Sequence, residues 1–79
     1  MSTHPAMPAC EALAADPERY MFKHMLSDLM EADHYDDKYR MVTRIGGYLA
    51  ALLECDVITC EQSKALRKET HVFMWGPDQ

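Results

Sequence analysis

Glycine is scarce in this chain. Three occur in 79 residues, two of them adjacent at Gly46-Gly47 and the third at Gly76. No glycine-rich loop of the kind that cradles phosphates can be assembled from them. Cysteine is scarce as well. Cys10, Cys55 and Cys60 make an odd number without dense spacing, which argues against a disulfide framework and for a reducing, cytoplasmic compartment. Long apolar runs are missing. The longest, Tyr48–Leu53, has six residues, against the ~20 needed to span a bilayer. No basic segment followed by an apolar stretch stands at the N-terminus, so no signal peptide is expected. The catalytic signatures H-E-x-x-H and C-x-x-C are absent, and no Ser-His-Asp arrangement can be justified. The expectation is a non-enzymatic protein without cofactor or metal.

The composition is otherwise that of a folded domain, with 48% hydrophobic and 27% charged residues. A chain this short buries only ~60% of the surface its unfolded form exposes, so one thin core is expected. Acidic residues are in excess, 13 against 8 Lys+Arg, for a formal net charge of -5. The excess is uneven. Residues 1–37 hold two basic and eight acidic residues, and residues 38–79 hold six basic and five acidic. Halves of unlike charge attract each other within a monomer, across a dimer, or towards different partners.

No strand-like alternation, internal repeat or low-complexity segment is present, and the chain reads as all-α. Residues 1–15, with Pro5 and Pro8, read as a loose N-terminal arm with at most one short turn over Cys10–Ala15. Residues 16–75 form a compact three-helix domain, and 76–79 a C-terminal tail. The first predicted helix opens at Asp16-Pro17-Glu18, where Asp16 suits the N-cap and Pro17 the first helical position. Its apolar stripe is Phe22, Met25, Leu26, Leu29 and Met30, and it ends near Ala32–His34. The second runs from about Asp36 to Cys55. Met41, Val42, Ile45, Tyr48, Leu49, Leu52 and Leu53 give it an apolar face wider than that of a surface helix, which predicts neighbours on two sides and a central position. Gly46 and Ala50 on its edge would admit another backbone, or mark a mild kink. The third helix forms a hairpin with the second. It opens on a capping box, Thr59-Cys60-Glu61-Gln62, shows Gln62, Ala65, Leu66, Glu69 and Phe73 on one face, and stops at Gly76-Pro77.

Four groups of side chains could carry function. Asp28, Glu31, Asp33, Asp36 and Asp37 place five carboxylates in ten residues. A calcium loop needs a glycine at its bend, and there is none. The patch fits a basic partner or imitates nucleic-acid phosphates, although a solvated helix corner is the commoner meaning of such a run. Lys64, Arg67, Lys68 and His71 form a basic stripe with Trp75 at its end. That pattern suits phosphates or an acidic protein surface, while the commoner meaning is the solvated back of a helix. Val72, Phe73, Met74 and Trp75 are expected anchors for a partner or a second copy, with a place in the core as the equal alternative. Cys55 and Cys60 flank the turn, and Cys60 at a helix start is placed for a reactive thiol. Their x4 spacing suits zinc poorly. Met21, His24 and Met25 could hold Cu(I), but Met25 belongs to the core stripe.

The leading expectation is a small acidic cytoplasmic interaction protein and homodimer, a regulator or inhibitor that occupies a surface of a larger protein partner. Inhibitors of host defence carried by mobile elements are one such class. The first alternative is a nucleic-acid-linked protein, by direct binding through Lys64–Trp75 or by phosphate mimicry through Asp28–Asp37; direct nucleic-acid binding is not favoured at this net charge. The second is a metal or redox sensor using Cys55 and Cys60. No membrane partner is expected.

Overall fold

The structure, a computed structural model, describes residues 6–76. Four helices follow one another: α1 (Pro8–Ala14), α2 (Tyr20–Glu31), α3 (Tyr35–Glu54) and α4 (Cys60–Trp75), with a 3-10 turn over Pro17–Arg19 before α2. Among the described residues there is no strand, and no helix is long and apolar enough to cross a membrane. Residues 1–5 of the expected arm and 77–79 of the expected tail lie outside the described residues.

The stripe expected on α2 is the one buried. Phe22, Met25, Leu26 and Leu29 enter the core, whereas Met30 sits at the edge of the face and is 37% exposed. Asp16 acts where the sequence places it, its Oδ1 accepting from the Glu18 amide at 3.0 Å. The turn it caps is the 3-10 segment opened by Pro17, so α2 proper starts later, at Tyr20. On α3 the buried residues are Ile45, Leu49 and Leu52, with Met41, Val42, Tyr48 and Leu53 packed beside them. Tyr48 stacks on Phe22, with ring centroids 6.1 Å apart.

The α3–α4 link begins with a Schellman motif. The Val57 amide donates to the Leu52 carbonyl and the Asp56 amide to the Leu53 carbonyl. This geometry needs a left-handed residue after the helix, usually glycine; here Asp56 takes it, at φ 61°. Ile58 is buried in the corner, while Val57 is 45% exposed. α4 then opens on the capping box. The Gln62 amide donates to Thr59 Oγ1 at 3.0 Å, and the Thr59 amide to Gln62 Oε1 at 2.8 Å.

The main departure from the sequence reading is the N-terminal arm. Its described part, from residue 6, is not loose. Met7 is 2% exposed and Cys10 fully buried, both within the core, and α1 runs between Pro8 and Ala14. No side chain of α1's own caps its start. Instead the Glu69 carboxylate of α4 accepts from the Ala9 and Cys10 amides, each at 2.8 Å. Two of the donors that every helix start leaves free are thereby satisfied by a residue sixty positions away. α1 packs on α2 and α4, and α3 packs on α2 and α4, but α1 and α3 do not approach each other, nor do α2 and α4, among the described residues. The four helices therefore form a ring around one core. α3 has neighbours on both sides, as its wide face requires, yet it is one wall of the ring and not its axis.

α4 turns differently from the face expected of it. Ser63, Leu66, Thr70 and Phe73 are buried, Glu69 is half-buried, and Gln62 and Ala65 are exposed. The two buried hydroxyls have local partners: Ser63 Oγ accepts from Arg67 Nε at 3.3 Å, and Thr70 Oγ1 donates to the Arg67 carbonyl at 3.0 Å. Such bonds let small polar residues sit inside without the cost of an unpaired group. Arg67 also reaches α3, donating from Nη2 to the Gly46 carbonyl at 3.2 Å. The neighbour that lies over Gly46 is thus a guanidinium and not another backbone, and a Cβ at Gly47 would meet nothing within 4 Å.

Candidate interaction surfaces

An aromatic cluster stands at the shared end of α3 and α4. Tyr35 and Tyr39 are four residues apart on α3, as are His71 and Trp75 on α4, so each pair lies on one side of its helix. The Trp75 ring packs at 4.8 Å from His71 and meets Tyr39 edge-on, with centroids 6.4 Å apart and planes at 76°. Tyr35 meets Tyr39 at 6.3 Å and 71°, and Trp75 Nε1 donates to the Tyr35 hydroxyl at 3.3 Å. The cluster holds its own geometry, since edge-to-face pairs contribute about 0.5–1.5 kcal/mol each beyond burial. It is nonetheless wet: Tyr35 is 58% exposed, and Tyr39 and Trp75 are each 49% exposed.

The segment from Val72 to Trp75 is divided by this arrangement. Phe73 is 9% exposed and faces the core, with Lys38 Nζ 5.6 Å from its ring centroid. Val72 and Met74 are half-buried, and Trp75 points outward. Of the four expected anchors, Trp75 is the exposed one. Tyr35 and Tyr39 were not among the expected residues. The signal was present as i, i+4 aromatic spacing in both helices, but only the antiparallel hairpin brings the pairs together.

In the basic stripe, Lys64, Lys68 and His71 are exposed, as Arg67 is, although its guanidinium is held on Ser63 and Gly46. α4 does continue to Trp75, so the stripe ends in the aromatic cluster. The acidic group is only partly gathered. Asp28, Glu31 and Asp37 line one depression between α2 and α3 together with Arg40, whose Nη1 lies 3.7 Å from Asp37. Asp36 faces a different depression with Tyr39, Arg40 and Arg44, and Asp33 is exposed in the link before α3.

Cys55 and Cys60 are both exposed and reduced, at the two ends of the α3–α4 link. Among the described residues no three His, Cys, Asp or Glu side chains gather as a metal site. Met21 is 51% exposed while Met25 is buried, so these two methionines point to different environments. The Cys10 thiol is buried. Burial pushes its pKa up to about 12, with the neighbouring Glu69 and Glu11 carboxylates adding to the effect.

No protein-family model, curated protein or solved structure matches this chain at a significant level.

Proposed function

We propose that this protein is a small non-enzymatic interaction module, a regulator or inhibitor that occupies a surface of a larger protein partner. The observation that carries this reading is the Tyr35–Tyr39–Trp75 cluster. Tryptophan and tyrosine are the residues most enriched at binding hot spots, and rings already packed on one another lose little freedom on docking. Lys64 and Lys68, on the α4 stripe that ends at Trp75, favour a partner surface of acidic character, and the α2–α3 carboxylates offer a second point of contact with a basic one.

Crosslinking tests it. A photoreactive phenylalanine analogue replaces Tyr39 in one preparation and Val57 in another. Val57 lies past the far end of α3, whose last residue, Glu54, is about 22 Å of helix from Tyr39. One defined adduct is expected from position 39, lost when Trp75→Ala is added. Equal adducts from both positions contradict the reading. Self-association through the same rings is a version of it, read by sedimentation: a dimer that Trp75→Ala dissociates.

A second reading rests on the continuity of α4, which joins Lys64 and Lys68 to Trp75. Direct binding of nucleic acid predicts that Lys64→Glu with Lys68→Glu removes retention of DNA or RNA at low salt. Phosphate mimicry predicts instead that neutralising Asp33, Asp36 and Asp37 ends inhibition of a basic partner.

A further inference from the structure

The cleft between α1 and α4 has a floor of Leu13, Ile58 and Leu66, and it stays open because Ala12 and Ala65 project only methyl groups into it. Its volume is about 380 Å³, within the ~300–1,000 Å³ range of small-molecule sites. Two carboxylates, Asp16 and Glu61, stand among the lining residues. Gln62, also at the edge, is engaged in the capping box of α4. No lysine or arginine lines the cleft. Asp16 has Arg19 Nε 3.9 Å away, and Glu61 has no ion-pair partner among the described residues.

From these features we infer that the cleft binds a small lipophilic cation, an apolar chain that ends in an ammonium group. The chain displaces water from the floor of Leu13, Ile58 and Leu66, where water finds few partners. The head group meets Asp16 and Glu61 at the edge, where the charge disfavours an anion of the same shape. The site lies on α1 and the first half of α4, away from the aromatic cluster, and does not rest on the reading given to that cluster.

A matched series tests the inference on the whole chain: hexylammonium, hexanol and hexanoate, which share one tail and differ in head-group charge. Binding is read from amide NMR shifts and from the thermal midpoint. The expected result is a set of shifts centred on Leu13, Ile58, Ala65 and Leu66. The cation binds more tightly than the alcohol by up to about fivefold, the upper end for an exposed ion pair, and the carboxylate binds most weakly. Asp16→Asn with Glu61→Gln keeps the Asp16 capping acceptor and should bring the cation level with the alcohol while leaving the alcohol unchanged. Ala65→Trp, at an exposed position, should fill the floor and remove binding of all three. Shifts scattered over the surface overturn the inference, as does a cation that binds no better than the alcohol.

Discussion

The starts of α4 and α1 obtain their hydrogen bonds from opposite distances. At α4, Thr59 and Gln62 cap each other within one turn. At α1, two amides are received by Glu69, at the other end of the chain. The first arrangement is local and forms whenever the turn forms. The second exists only once α1 has docked, so it couples a seven-residue helix to the whole ring. A helix that short is marginal on its own in water. Its stability here comes from Met7 and Cys10 in the core and from the carboxylate above them.

The difference is sharpest when Glu69 is removed. Glu69→Ala leaves the Ala9 and Cys10 amides without their acceptor and should cost about 2–3 kcal/mol, measured by urea unfolding. The loss should be concentrated in α1, seen as faster amide exchange over residues 8–14. Thr59→Ala, by contrast, breaks a local cap and should cost about 1 kcal/mol, with faster exchange confined to the first turn of α4. If the two variants cost the same and fray only their own helices, Glu69 is no tether.

That contrast also explains what could be read from the chain. The capping box, the α2 stripe, the Asp16 cap and the stop at Gly76 are encoded by residues within a few positions of one another, and each is legible as spacing. The docking of α1 is not. Pro8 and the alanines around it look like an arm, and nothing near Met7 or Cys10 signals burial. The cause lies at position 69, which read as one more residue on an α4 face. The aromatic cluster is illegible for the same reason: Trp75 stands out at the end of its stripe, but Tyr35 and Tyr39 join it only across the hairpin. Charge patches, read as runs along the chain, were split by the helix that carries them, with Asp36 and Asp37 on different sides of α3.

Two smaller effects refine the account. Gly47 lies within α3 with open space where a Cβ would stand, so Gly47→Ala should stabilise the fold by up to ~1 kcal/mol, raising the thermal midpoint. Trp75→Ala should change stability by about 1 kcal/mol or less, since half of the ring is already in water. A larger loss would mean that the cluster holds the fold together and is not a surface kept for binding.

The Cys10 thiol adds a pH signature. Its pKa is raised to about 12 from an ordinary 9.0, so the folded state keeps the proton that the unfolded state releases. This contribution is complete below pH 9 and is lost as pH rises towards 12. Cys10→Ala should flatten the alkaline fall in stability relative to the parent chain, in urea midpoints compared across that window.

The most direct measurement is thiol alkylation followed by mass spectrometry near pH 8, on the native chain and on Glu69→Ala. Cys55 and Cys60, both exposed, are built-in controls. The account predicts rapid labelling of these two, protection of Cys10 in the parent chain, and at least tenfold faster labelling of Cys10 when Glu69 is replaced, the factor that ~1.4 kcal/mol of easier local opening would give. Cys10 labelled as fast as Cys55 in the parent chain would contradict it, because α1 would then not be held in the core at all.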